Sequence, residues 1–499
     1  MRLYSTFFQR SLHDPQTHPC PVAGSRFSGV AQAAAPVTFN KLWITPSASA
    51  GFLAEIPAFD ASTNTVWVAG VTGVDVLNAS NGSLLQHIDT TGFGSINSVA
   101  IHNGLAAFAM ESSADRTLPG QVVLFDTASR SLASGVNQIS VGALPDMLTF
   151  SADGSKLLVA NEATPVTYGA FDPAGSVSII NMNTRTATTA GLSGVATAGS
   201  AIRSPGMDFE PEYIAINAAG THAFVTLQEH NAMGVLDMNT QQFTSVIGLG
   251  TKDFSLPGNE IDPSHKDSKI ELRSADVQGF YQPDAIAAYD VGGQTYLVMA
   301  NEGDTREDDG DKARLKDSGL TGPADLKQLN ISTPDSASGD LYTFGARSFT
   351  IRDTSGNIVF DSGNQLDAEA IARGIYDDGR SDDKGVEPEG VELVEIDGRT
   401  FAFIGLERTT KGAVAVYDIT DPANASFVDM IVTDGDVAPE GMKAFVMDGK
   451  HYLAIANEVS NTTTLYSMAP VPEPETYAML LAGLGLVGFM ARRRNAQRA

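Results

Sequence analysis

Five stretches of this chain follow one plan: a proline, an acidic residue, a short alternating apolar run, a tight turn, a second β-rich run and a closing glutamate. Pro145-Asp146 leads through Asp153-Gly154 to Asn161-Glu162, and Pro211-Glu212 leads through Ala219-Gly220 to Gln228-Glu229. Pro283-Asp284 leads through Gly292-Gly293 to Asn301-Glu302. Pro388-Glu389 leads through Asp397-Gly398 to Leu406-Glu407, and Pro439-Glu440 through Asp448-Gly449 to Asn457-Glu458. The interval from first acid to closing glutamate is 16, 17, 18, 18 and 18 residues. Two weaker copies precede these. Ile96-Asn97-Ser98 passes Asn103-Gly104 to Glu111, and Glu55-Ile56-Pro57 passes Thr63-Asn64 to Gly70 without a closing acid. A fixed period of this kind is the mark of a repeat architecture.

Each unit reads as a hairpin, because Asp-Gly, Gly-Gly and similar pairs separate runs rich in Val, Ile, Phe and Tyr. Third strands follow at Gly120–Asp126, Gly175–Ile180, Gly234–Asp237 and Gly412–Asp418, and Thr184–Thr189 suits a fourth. Seven antiparallel units predict an all-β fold, a seven-bladed β-propeller of the YVTN or WD40-like kind, since radial closure removes most exposed sheet edges. Phe39–Ile44 suits the strand that would complete the last blade. The fifth unit carries an acidic insertion from Gly303 to about Lys384, within which Phe349–Ile351 and Ile358–Phe360 read as that blade's displaced outer strands. Loops this long inside a compact domain are usually functional.

The chain ends in Val471-Pro472-Glu473-Pro474, an apolar run Tyr477–Ala491 and Arg492-Arg493-Arg494. The run is apolar all round but shorter than the roughly 20 residues of a comfortable transmembrane helix. The arginines would hold its end at the cytoplasmic face. The segment resembles the PEP-CTERM sorting signal of Gram-negative bacteria. That resemblance implies export, processing by an exosortase-type enzyme, and a place in the cell envelope, on the outer surface or in the extracellular matrix, with a C-terminal transmembrane sorting helix. Residues 1–36 read as an atypical leader or a misassigned start. Val30–Pro36 looks like a cleavage region, whereas Met1–Gly29 has no apolar stretch to serve as a leader core. The body is therefore expected over 37–468 and the sorting segment over 469–499. Cys20 is the only cysteine, so neither disulfides nor a thiol nucleophile are available to the body.

With 59 acidic against 32 basic residues, the chain repels nucleic acid and attracts cations. In a blade, the start of the innermost strand and the end of its partner emerge on the same face. Asp146, Glu212, Asp284, Glu389 and Glu440 should thus meet Glu111, Glu162, Glu229, Glu302, Glu407 and Glu458 around one mouth. A like-charge pair at about 4 Å costs roughly 4 kcal/mol at an effective dielectric near 20, so protons, cationic side chains or a metal must neutralise them. Oxygen ligands from several segments suit Ca²⁺ at 6–8 coordination. The candidate metal ligands are Glu212, Asp284, Glu302, Asp304, Glu307, Glu389, Glu407 and Glu440, with Asp308, Asp382, Asp383 and Glu387 expected to converge nearby. Arg306 and Arg408, with Arg380 beside them, could clamp a phosphate. The same pattern also describes a structural staple in each blade and a salt-bridged loop. Asp304–Asp311 lacks the spacing of an EF-hand. The histidines, His222 and His230 among them, read as surface or core residues rather than a zinc site.

Together, Glu210-Pro211-Glu212-Tyr213-Ile214, Ala300-Asn301-Glu302-Gly303-Asp304-Thr305-Arg306-Glu307 and Arg380–Gly390 make the chain resemble the choice-of-anchor I family over about Thr38 to Met468. The resemblance implies a surface protein with a variable C-terminal anchor, similar to cell-surface glycoproteins linked to biomineralisation, some relatives carrying an alkaline-phosphatase label. Two functions follow as expectations. One is an exported, surface-anchored propeller that binds a divalent cation, Ca²⁺, and a partner or matrix polymer. The other is a metal-dependent phosphoesterase of alkaline phosphatase or phytase-like type, with Glu302, Asp304 and Glu389 on the metal and Arg306 on the phosphate.

Overall fold

The computed structural model describes residues 37–167, 171–203, 209–305 and 310–470. The expected leader, the sorting residues Val471, Pro472, Glu473, Pro474, Arg492, Arg493 and Arg494, the apolar run Tyr477–Ala491, and Arg306, Glu307 and Asp308 lie outside the described residues. Among the described residues no helix is long and apolar enough to cross a membrane.

The repeat units become antiparallel sheets that run in chain order. The strand Ala54–Asp60 opens a sheet of four, Pro145–Phe150 and Pro388–Ile396 do the same, and Ile96–His102 opens a sheet of five. Ile214–Ile216 also opens a sheet of five, whose far edge is Thr197–Ser200, paired in parallel with Gln242–Leu249. The fifth unit is interrupted as expected: Ile286–Val291 and Gln294–Asn301 are completed by Ser348–Asp353 and Ile358–Asp361. In the last unit Pro439–Met447, Lys450–Asn457 and Thr462–Pro470 are joined by Val37–Pro46, with Val37 opposite Pro470 and Pro46 opposite Thr462. The chain's first described strand thus completes its last sheet.

The turns follow from local chemistry. Asn64, Asn103, Asp397 and Asp448 adopt φ near +50°, and the glycines after the last three continue in the left-handed region. Asn, Asp and Gly tolerate that region, and such turns match the twist of the paired strands.

Apolar side chains from both faces of each hairpin bind one sheet to the next. Trp67 and Val76 of the first sheet pack with Phe108 and Val123 of the second. Leu158 and Ile179 pack with Val225 and Leu236, and Phe349 and Ile351 with Ile404 and Tyr417. Phe52, Val68, Tyr452 and Leu465 join the last sheet to the first. The first strands of the sheets also touch in succession, and Pro439–Met447 returns to Ala54–Asp60. The architecture is a β-propeller. The fifth-unit insertion shares a small core with the segment before that unit: Leu326, Leu329 and Ile331 are buried together with Phe254, Ile261 and Val277. It also contributes the short helix Gln365–Ala372, packed through Leu366 and Ala370 against the Phe349–Tyr417 cluster.

Close approach of neighbouring first strands sets the width of the channel. A Cβ at Gly441 would lie 2.5 Å from the carbonyl oxygen of Glu55, and one at Gly390 would lie 2.3 Å from that of Glu440. Backbone on both sides cannot yield cheaply, so Gly441→Ala is expected to destabilise the protein by about 1–3 kcal/mol, the usual range for overpacking. Chemical denaturation would measure this, and an unchanged midpoint would show that the strands can part.

Candidate functional site

A β-bulge aims the repeated acids. Pro145 pairs with Asn161, Pro388 with Leu406 and Pro439 with Asn457, and in each the register shifts before Leu148, Val391 or Met442. The extra residue on the first strand is therefore the acid or its neighbour, and such bulges re-aim side chains. In four of the five units the residue before the proline, Leu144, Gln282, Glu387 or Ala438, has φ between 41° and 59°. Its carbonyl accepts a bond from the returning strand: Glu162 N to Leu144 O, Glu407 N to Glu387 O and Glu458 N to Ala438 O at 2.8–2.9 Å, and Gly303 N to Gln282 O at 3.1 Å. This ties the first acid and the closing glutamate of a unit to one place.

The outcome is a cavity of about 990 Å³ at one end of the channel. All eleven rim carboxylates expected from the repeat line it, together with Asp304, Lys384, Arg116 and Arg408. Glu55 lines it as well. In that unit the acid precedes Pro57 by two residues instead of following it, so the pattern did not single it out. Asp382 and Asp383 do not converge on the mouth. Asp382 pairs with His265 and Arg314, and Asp383 pairs with Arg380 at 3.0 Å and accepts from Asn330 at 3.2 Å. The acidic insertion uses these carboxylates to hold itself together. A second cavity of about 470 Å³ shares Ile56, Ser98, Met147 and Tyr213 with the first and is otherwise lined largely by apolar residues such as Ile214, Ile286 and Met442.

The rim is neutralised unevenly. On one side Lys384 Nζ donates to Glu302 Oε1 at 2.7 Å and to the Gly303 carbonyl at 2.5 Å, and lies 3.1 Å from Glu387 Oε2. Gln228 Nε2 donates to Glu302 Oε2 at 2.9 Å. Arg380 Nε donates to Glu387 Oε1 at 2.7 Å, and Arg408 pairs with Glu407 at 2.7 Å. Burial alone would lower the Lys384 ammonium, yet Glu302, Glu387 and Asp304 hold it well above its ordinary value. Lys384 was not among the sequence candidates, and its role depends on how the insertion folds back.

On the other side, among the described residues, no lysine or arginine forms an ion pair with Glu212, Asp284, Glu389 or Glu440. Burial, reinforced by neighbouring carboxylates, raises Glu212, Asp284 and Glu389 well above the usual carboxylate range. Burial likewise brings Asp304 to about 6, Glu440 to about 7, Asp146 and Glu407 to about 8 and Glu55 to about 9. Oε2 of Glu212 and Oε2 of Glu389 are buried without a hydrogen-bond partner. Carboxylate oxygens of Asp284, Glu302 and Glu389 lie within 4.8 Å of one another, as do those of Glu389, Glu407 and Glu440. An ion bound at about 2.3–2.6 Å can bridge such a spacing.

A β-propeller with a carboxylate-lined channel mouth is the class this fold and site define. The chain belongs to the choice-of-anchor I family, whose domain matches residues 55–422, and a PEP-CTERM protein-sorting motif matches 470–494. It is therefore an exported cell-surface protein of a Gram-negative bacterium, and its sorting motif implies processing by an exosortase. No curated protein matches the chain. Among solved structures it is similar in fold to the hydrazine synthase of Kuenenia stuttgartiensis, with 12% identity, a TM-score of 0.50, and 86% of this chain and 98% of that one covered. The β-propeller domain of Cps50 (Swd1) from Myceliophteria thermophila also matches, with 8% identity, a TM-score of 0.44, and 86% and 99% covered.

Folded-state carboxyl values above the unfolded values of about 3.9 and 4.3 mean that the native protein holds protons which the unfolded chain releases. Their contribution is complete below about pH 4 and is lost as pH rises through the folded values, which include about 6 at Asp304 and about 9 at Glu55. Protein stripped of divalent cations is thus expected to lose melting temperature steadily between about pH 5 and pH 9. A flat or rising profile over that window would contradict the burial of these acids.

Proposed function

We propose that the chain is a surface-anchored, seven-bladed β-propeller whose acidic mouth binds a divalent cation, Ca²⁺, and holds a partner or matrix component there. The blade count is supported by the apolar clusters that bind each sheet to the next and the last to the first. The observation that carries the cation reading is the unpaired side of the rim. Glu389 brings its oxygens within 4.8 Å of Asp284 and Glu302 on one side and of Glu407 and Glu440 on the other. Asp284, Glu389 and Glu440 have no ion pair among the described residues, and all donors are hard oxygens from separate segments, the preference of Ca²⁺. Glu302 and Glu407 contribute less, because Lys384, Gln228 and Arg408 already engage them. Glu212 and Asp304 line the same cavity and complete the ligand supply.

The phosphoesterase reading requires a free guanidinium to grip phosphate. Arg408 reaches the mouth, but it pairs with Glu407 and stands 3.9 Å from Glu387. A phosphate at Arg408 would have to displace both, whereas Arg116, the other guanidinium lining the mouth, forms no ion pair among the described residues.

Full-length protein stripped by chelator and titrated with Ca²⁺, Mg²⁺ and Mn²⁺ tests both readings if melting temperature and p-nitrophenyl phosphate hydrolysis are recorded together. Ca²⁺ at 100 times its dissociation constant is expected to add about 2.7 kcal/mol of stability. The Asp284→Asn, Glu389→Gln double variant is expected to melt higher than wild type when stripped, because repulsion is relieved, and to lose the response to Ca²⁺. Stabilisation by metal without turnover supports the binding propeller. Metal-dependent turnover would assign the esterase, and no response to any cation would make the rim purely structural.

A further inference from the structure

The repeat places Glu387 and Glu407 at two positions of the sixth unit, before the proline and at the closing acid, and Arg408 follows. In the fourth unit the same positions hold Glu210, Glu229 and His230. Arginine cannot ligate a metal, whereas a neutral imidazole can. Ligand atoms of Glu210, Glu229 and His230 all lie within 4.8 Å of one another, and the three residues are 1%, 5% and 1% exposed. Oε2 of Glu229 is buried without a hydrogen-bond partner.

We propose that Glu210, Glu229 and His230 form a second metal site in the wall of the mouth, taking a first-row transition dication of the Zn²⁺ class. One imidazole and two carboxylates form a mixed donor set that suits Zn²⁺ or its neighbours better than Ca²⁺, and three protein ligands leave a coordination position open. Glu229 lines the cavity, so the ion has an entry path from the channel. The surrounding backbone is fixed in advance. Arg203 Nη1 donates to the Glu229 carbonyl at 3.0 Å, and Arg203 N donates to that of His230 at 2.9 Å. Asn231 Nδ2 donates to Ala201 and Gly250 carbonyls at 2.9 and 2.8 Å. The Phe209 ring lies 4.8 Å from the imidazole, centroid to centroid. This site does not depend on the Ca²⁺ reading of the rim, because none of its three residues belongs to the Asp284, Glu389 and Glu440 set.

The test loads chelator-stripped full-length protein with Zn²⁺ while Ca²⁺ is held in millimolar excess, then measures retained zinc. One equivalent is expected to remain. His230→Gln is expected to weaken Zn²⁺ by more than the roughly 100-fold that loss of an outer-shell partner can cost, with the Ca²⁺ response unchanged. The Asp284→Asn, Glu389→Gln variant is expected to keep its zinc. Zinc that is lost in the rim variant and kept in His230→Gln would overturn the proposal, as would wild type that retains none. Wild type loaded with Co²⁺ gives a check that survives a misfolded variant: a hyperfine-shifted, exchangeable imidazole N–H proton signal is expected. Absence of that signal at full Co²⁺ occupancy would also overturn the site.

Discussion

Like-charge repulsion at the channel mouth is the constraint around which this molecule is arranged. Blade geometry brings the start of one strand and the end of its partner to the same rim in unit after unit, and most units put a carboxylate at both places. At 4.8 Å, two carboxylates repel by roughly 3.5 kcal/mol at an effective dielectric near 20. A domain of ordinary stability could not hold many such pairs uncompensated. Three forms of compensation divide the rim. Lys384, Arg380 and Arg408 neutralise the side formed by Glu302, Glu387 and Glu407. Protons serve the other side, where burial and neighbouring carboxylates raise Glu212, Asp284 and Glu389 well above the usual carboxylate range and Glu440 to about 7. A bound dication would replace those protons with a charge of two.

The internal cations have a consequence for specificity. Lys384 sits among Glu302 Oε1, Glu387 Oε2 and the Gly303 carbonyl much as a small cation would. A buried ion pair of this kind adds little net stability over an apolar substitute, but removing one partner leaves an uncompensated charge and is costly. Its effect is to fill one part of the rim with a fixed charge, while Asp284, Glu389 and Glu440 stand outside that ion-pair network. The insertion of the fifth unit supplies this lysine. Its acidic residues Asp382 and Asp383 fold it into position by pairing with Arg314 and Arg380.

The features set by short-range chemistry were readable from the chain. Asp397-Gly398 and Asp448-Gly449 announce their turns, and the period between Pro-acid and closing glutamate announces both the sheets and the rim. The displaced strands Ser348–Asp353 and Ile358–Asp361 were visible as β-rich runs bounded by Asp, Ser and Gly. Glu55 was not, because its acid lies two residues before Pro57 and its unit lacks the closing glutamate. The parallel edge strand Thr197–Ser200 and the helix Gln365–Ala372 carry no strong local signal. They form because a neighbouring sheet edge or the Phe349–Tyr417 core is there to receive them. Lys384 could be seen beside the acids, but its partners could not, since Glu302 lies 82 residues away in sequence.

The hairpin plan recurs across the units while the residue after the closing glutamate varies, and in three of them that residue bears on how the unit handles its charge. In the fifth unit it is Gly303, at φ 93°, where a Cβ would lie 2.3 Å from the Gly345 nitrogen. Only glycine fits beside the returning insertion, so the neutralising charge must come from elsewhere, and Lys384 bonds to that glycine's own carbonyl. In the sixth unit it is Arg408, which neutralises Glu407 directly. In the fourth it is His230, buried beside Glu210 and Glu229, a side chain that can change charge or accept a metal where arginine can do neither. A repeat of this kind separates two demands that a single site must usually satisfy together. The bulge and the strand pairing hold the carboxylates in place, and in the fourth, fifth and sixth units the variable position after the closing glutamate changes the charge balance around them.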